Sequence, residues 1–210
     1  MEIERIDNYK DSRFREEALR QHGCFLVDGI PCEVEITGET TAVIRLGELP
    51  ESGEAYKELI ETFRFYAEHI TRFLKEDGTL IAEFPPVELF PVTLSEIQPS
   101  QFFVDEEKLR AVEDFISAWE EIVIPLIRYG ERYLSCDGHT RLYLAAKKGF
   151  PTVRGFLAEE NEVLLEFAAE AQKRGVFTPM DLKLLPHEEY EQQWNRFCEE
   201  FFREREERNH

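Results

Sequence analysis

One stretch of this 210-residue chain has residue types and spacing suited to phosphate chemistry: Asp137-Gly138-His139-Thr140-Arg141. It follows a strand-like run, Arg132 to Cys136, and opens a helical pattern that ends at Gly149. A glycine at such a junction turns the backbone sharply and lets it approach a ligand with no side chain between them. The amides from His139 to Arg141 then lie in the first turn of a helix, where they lack intrahelical partners and carry the positive end of the helix dipole. Thr140 adds a hydroxyl, and Arg141 adds a planar, permanently charged fork that matches phosphate oxygens. Asp137 is of the type that holds Mg²⁺ or a substrate hydroxyl beside phosphates. His139, read as a loop residue, would donate a hydrogen bond and titrate near neutrality. Asp137 and His139 are therefore the catalytic candidates. The plain alternatives stay open: a turn or cap role for Asp137, a surface histidine, and an ordinary capped helix start.

Other candidates are weaker. Cys24, Cys32, Cys136 and Cys198 have neither the CxxC spacing of a zinc site nor the density of a disulfide scaffold, so reduced and mostly buried thiols are expected. Tyr56, Leu59, Phe63, Tyr66, Ile70 and Phe73 recur at steps of three and four. Such an aromatic stripe reads as the core face of a long helix, capped by Ser52 and ended by Asp77-Gly78, rather than as a ligand box.

The elements that must position the loop follow a βα pattern. Val92 to Ile97 is expected to be a strand and Gln98 to Gln101 a turn. A helix capped by Asp105 follows, with Leu109, Val112, Ile116 and Trp119 on one face. Ile122 to Ile127 and Arg132 to Cys136 are then strands leading into the loop, and Thr152 to Leu157 is the last strand of the module. Upstream, Cys24 to Val27, Cys32 to Ile36 and Thr41 to Leu46 read as an antiparallel meander, with Asp28-Gly29-Ile30-Pro31 as one of its turns. A short helix is expected around Ser12 to Gln21, and Thr79 to Phe84 reads as a strand. The tail reads as helical, from Glu160 to Arg174 and again from near Pro186. Tyr190, Trp194, Phe197 and Phe201 form an aromatic face on the second of these helices, to be covered by the domain or by a second subunit. The expected fold class is α+β, divided as an acidic strand-plus-long-helix region over 1–91, a βα module over 92–159 and a helical extension over 160–210.

The run Ile97-Gln98-Pro99-Ser100-Gln101-Phe102, a helix, Ile124-Pro125-Leu126, Tyr133-Leu134 and then Asp137-Gly138-His139-Thr140-Arg141-Leu142-Tyr143-Leu144-Ala145-Ala146 resembles the ParB/sulfiredoxin superfamily. Free-serine kinases of that group carry Asp-Gly-His-His-Arg at the loop, from which this chain differs by Thr140. The resemblance covers about the middle third of the chain. It implies a nucleotide ligand (CTP in ParB, ATP in sulfiredoxin, ADP in the kinases), with Gly138, His139, Thr140 and Arg141 at the phosphates. It also implies small-molecule phosphoryl transfer or nucleotide hydrolysis with Mg²⁺, against the alternative of a non-catalytic, nucleotide-binding regulatory protein. The departures are specific. Sulfiredoxin's catalytic cysteine falls on His139, so that chemistry is lost. The kinases' His-Glu pair falls on Ser100 and Gln101, so Gln101 keeps a ligand-binding place but an amide cannot accept the proton.

Charge bounds the partners. The net charge of −19 divides as −10 over 1–91, −2 over 92–158 and −7 over 159–210. Acidic flanks repel nucleic acid, whose binding rests on neutralising phosphates, while the near-neutral middle tolerates a polyanionic small molecule. Neither DNA nor RNA is therefore an expected partner. No apolar run is long enough to span a bilayer, and Met1-Glu2-Ile3-Glu4-Arg5 lacks the apolar stretch of a signal peptide, so no membrane partner and a cytoplasmic setting are expected. A homodimer through the C-terminal helix remains an expectation.

Overall fold

The computed structural model describes residues 1–6, 10–49, 52–113, 116–159 and 162–209. The chain is α+β and divides into two units, Met1–Phe90 with Phe156–Ala158, and Pro91–Gly155 with Glu159–His210.

The first unit contains β1 (Ile3–Arg5), α1 (Glu16–Arg20), β2 (Cys24–Val27), β3 (Ile30–Ile36), β4 (Thr41–Arg45), α2 (Gly53–Arg64), β5 (Arg72–Leu74) and β6 (Leu80–Glu83). These strands form one sheet in the order β1-β2-β3-β4-β5-β6. The β2–β3 hairpin turns on Asp28 and Gly29, both with positive φ, as a tight two-residue turn demands. Ser52 caps α2 by accepting from the Ala55 amide at 3.1 Å, as its sequence position suggests.

The long helix expected from the aromatic stripe is corrected by the structure. α2 stops at Arg64, and Phe73 lies on β5, which pairs in parallel with β4. A parallel pair needs a crossover, and α2 supplies it. Ile70 and Phe73 are fully buried all the same, alongside Leu59, Phe63, Phe25 and Val34. Apolar spacing therefore identified core residues while overstating the helix that carries them.

The chain continues with β7 (Phe90–Thr93), β8 (Ile97–Pro99), β9 (Phe103–Asp105), α3 (Glu106–Glu113), β10 (Val123–Tyr129), β11 (Arg132–Ser135), α4 (His139–Lys148), β12 (Thr152–Leu157), α5 (Glu162–Lys173), β13 (Lys183–Leu185), α6 (His187–Tyr190) and α7 (Arg196–Asn209), which make up the second unit apart from Phe90, Phe156 and Leu157. Its main sheet runs β7-β12-β10-β11-β8.

Several expectations change here. The single strand over Val92 to Ile97 is two strands, split by a 3₁₀ turn at Leu94–Glu96 that is capped by Thr93 and Glu96. The turn expected at Gln98 to Gln101 begins inside β8. Trp119 is not on α3 but opens a 3₁₀ turn, Trp119–Glu121. The tail is not wholly helical, because β13 pairs in parallel with β9. The tail helix start expected at Glu160 lies outside the described residues. A π-helical turn, Glu191–Asn195, joins α6 to α7.

The aromatic face of the tail is covered by its own chain. The Trp194 ring lies 5.0 Å from Phe102 and 6.0 Å from Phe167, while Phe201 stacks on Phe167 at 4.5 Å. A second subunit is not needed to bury it. Among the described residues, no helix is long and apolar enough to cross a membrane.

Candidate functional site

The loop at 136–138 is placed by β11. That strand runs antiparallel to β10 on one side and parallel to β8 on the other, with Ser135 opposite Pro99. Parallel pairing puts the carboxyl ends of β8 and β11 at the same edge of the sheet, which is where α4 begins. Open sheets commonly bind ligands at such an edge.

Gly138 is the residue before the first turn of α4, with φ 81° and ψ 22°. This left-handed conformation strains residues that carry a Cβ. Space excludes a side chain as well, since a Cβ on Gly138 would lie 2.7 Å from Ile124 Cδ1 and 3.0 Å from Arg141 Nη2. The cap position offers no side chain of its own to the first-turn amides.

Arg141 folds back over this glycine. Its Nη1 donates to the Val123 carbonyl at 2.7 Å, and Nη2 lies 3.5 Å from Asp137 Oδ2. The Arg141 side chain is 27% exposed and that of Asp137 46%, so both reach solvent at the mouth of the loop. Thr140 is half-buried in the first turn.

His139 departs from its expected role. It is buried, and its Nε2 sits between the Ser100 and Ser135 hydroxyls at 3.1 and 3.2 Å. Both hydroxyls can donate to that nitrogen only if the ring is neutral. Burial pushes the imidazole down to about 4, with Asp137 pulling the other way and Arg141 adding a smaller downward push. The expectation of titration near neutrality is thus corrected. The ring faces inward because position 139 falls on the side of α4 that also buries Leu142.

Gln101 is half-buried and its amide is spent elsewhere. The Nε2 donates to the Phe103 carbonyl at 2.7 Å and to the Tyr190 hydroxyl at 2.9 Å. The thiol of Cys136 is pushed up to about 12 by burial, with Asp137 adding to it, so it is no nucleophile at neutral pH. Asp137, Gly138, His139, Thr140 and Arg141 therefore cluster with Ser100, while Gln101 faces the tail. Ser135 is a contributor that sequence reasoning missed. It lies at the end of a strand, and only the pairing of β8 with β11 brings it and Ser100 to the same imidazole.

The metal expectation rests on Asp137 alone. Among the described residues no group of three His, Cys, Asp or Glu side chains could hold a metal ion. A half-exposed carboxylate does suit Mg²⁺ when phosphate oxygens and water supply the other ligands.

No protein-family model matches the chain, and no curated protein matches it. One solved structure, protein Atu1540 from Agrobacterium tumefaciens, is similar at 18% identity over 46% of this chain, with a TM-score of 0.30. The match spans about half, 53%, of that protein. A likeness this slight carries no inference of shared fold or function.

Proposed function

We propose that this protein binds a nucleotide through its phosphates at the start of α4. The observation that carries this reading is the junction itself: a left-handed Gly138, which has no side chain, leads from β11 into the first turn of α4 beside the Arg141 guanidinium. An anion there would accept from the first-turn amides and the Thr140 hydroxyl. Arg141 would exchange its contact with the Val123 carbonyl for a charged partner, which strengthens the bond it makes. With Mg²⁺ present, Asp137 would be the protein's ligand to it and the phosphates would supply further oxygens.

Two uses of the ligand remain in play, and the surroundings of the loop favour the second. Phosphoryl transfer to a small-molecule acceptor, or nucleotide hydrolysis, needs a base. The neutral, enclosed His139 and the amide of Gln101 do not provide one, which leaves Asp137. A non-catalytic binding protein, in which the nucleotide orders the loop for regulation, requires none.

The test is a thermal-shift panel of ADP, ATP and CTP, each with and without Mg²⁺, on wild type, Arg141→Ala and Arg141→Lys. A nucleotide that binds only the native state raises the melting temperature. Losing one charged hydrogen bond in Arg141→Ala weakens binding about tenfold to hundredfold, and Arg141→Lys recovers part of it. Absence of any shift at millimolar nucleotide removes the reading, and wild-type affinity in Arg141→Ala removes that residue from the site. Released phosphate in a turnover assay on a bound nucleotide would favour the catalytic use.

A further inference from the structure

We infer that the Asp105–His187 pair is a proton-operated latch fastening the C-terminal α6–α7 segment to the β8–β9 segment. Asp105 ends β9 and its side chain is 1% exposed. One carboxylate oxygen accepts from the Glu107 amide at 2.8 Å, which caps α3, and the other lies 2.8 Å from His187 Nδ1. A carboxylate buried this deeply is costly unless a charge of opposite sign meets it. His187 is placed to do so. It follows the last rung of the β9–β13 pairing, Leu185 opposite Asp105, and is the first residue of α6.

The groups facing the imidazole favour its charged form. Asp105 bonds Nδ1, Glu191 on the following turn lies 3.6 Å from Nε2, and Glu107 approaches from α3. Arg110 on α3 is paired with Glu106 at 2.8 Å. The hydrogen bond to Asp105 raises the His187 pKa above its ordinary value against a small desolvation penalty, and the charges of Asp105, Glu191 and Glu107 add to the rise. The side chain is 42% exposed, so protons exchange freely with solvent. That access separates a switch from a static buried pair.

What the latch holds is defined by the contacts beyond it. Tyr190 accepts from Gln101, the Trp194 and Phe197 rings lie 5.0 and 4.9 Å from Phe102, and the Arg174 guanidinium, just past α5, lies over Phe197 at 4.9 Å. Gln101 and Phe102 directly follow Ser100, which touches His139. Because the docked state has the raised pKa, the latch contributes fully below about pH 6.5 and fades as the pH rises through the raised value. Above it a neutral imidazole can still donate to Asp105 but no longer offsets its charge.

The experiment uses the full chain carrying Trp119→Phe, so that tryptophan emission reports Trp194 alone. Urea midpoints are measured between pH 6 and 9, with and without His187→Gln, and the His187 imidazole is titrated by proton NMR, assigned by its absence in that variant. The four thiols, held at about 11 or 12 by burial when folded but ordinary once unfolded, and the buried His139 add the same pH dependence to both proteins, so the difference between the two isolates His187. The expected result is an unfolding equilibrium, read at Trp194, that shifts about three- to tenfold further towards the unfolded state in the parent than in His187→Gln as the pH rises, with the midpoint of that difference shared with the His187 titration. A pH-independent midpoint in the parent, the same pH dependence in His187→Gln, or an imidazole titrating at or below 6.5 would each overturn the latch. Asp105→Asn, whose remaining oxygen can still cap α3, should return the His187 pKa to its ordinary range. This NMR outcome needs no docking measurement and decides the pairing if His187→Gln fails to fold.

Discussion

Acidification to pH 5 should destabilise the second unit through His139. In an unfolded chain this imidazole titrates near 6.5, whereas burial between Ser100 and Ser135 holds it at about 4 in the folded protein. The folded state therefore refuses a proton that the unfolded state accepts. Stability is complete above the unfolded value and is lost as the pH falls towards 4. For a fully buried ring the cost is about 2 kcal/mol at pH 5 and about 3 kcal/mol at pH 4. Both tryptophans, Trp119 and Trp194, belong to this unit, so the tryptophan emission of urea-treated protein follows its unfolding. The comparison is with His139→Gln, whose amide can still meet the two hydroxyls but cannot titrate. Between pH 7 and 5 wild type should lose about 2 kcal/mol of stability beyond whatever the variant loses to carboxylate protonation. Equal losses in the two proteins, or a His139 imidazole titrating near 6.5 by NMR, would refute the argument.

Gly138→Ala should cost about 1–3 kcal/mol, because a Cβ there meets Ile124 and the Arg141 guanidinium in a left-handed backbone; an unchanged melting temperature would show that the loop relaxes freely. Trp194→Ala should lower stability by about 3 kcal/mol, at the modest end for a large aromatic because the ring is only half-buried, and calorimetry reads it directly. Duplex DNA should not be retained at physiological salt, given the −10 and −7 of the flanks, and a salt-sensitive mobility shift would contradict this.

Elements governed by local chemistry were legible in the residues. The Asp28-Gly29 turn, the Ser52 and Asp105 caps and β12 fall where their sequence signals put them. So does the strand that leads through Gly138 into a helix ending before Gly149. Each depends on a backbone preference or a side chain acting within a few residues, which the order of residues already contains. Core membership was legible too, since apolar spacing marked Phe63, Ile70 and Phe73 wherever they came to lie.

What depended on distant partners was not. α2 ends at Arg64 because the free edge of β4 takes up β5, and β13 leaves the helical tail because β9 offers it a ladder. His139 reads as a loop histidine until β8 and β11 pair and close two serines around it. Gln101 reads as an amide facing the loop until Tyr190, 89 positions along the chain, accepts from its Nε2. The sequence determined where the chain turns and which side chains cap its helices, because those are local properties. Only the tertiary structure decided which of them are buried, charged or already engaged, because burial and hydrogen-bond partners are set by strand pairings between segments far apart in the chain.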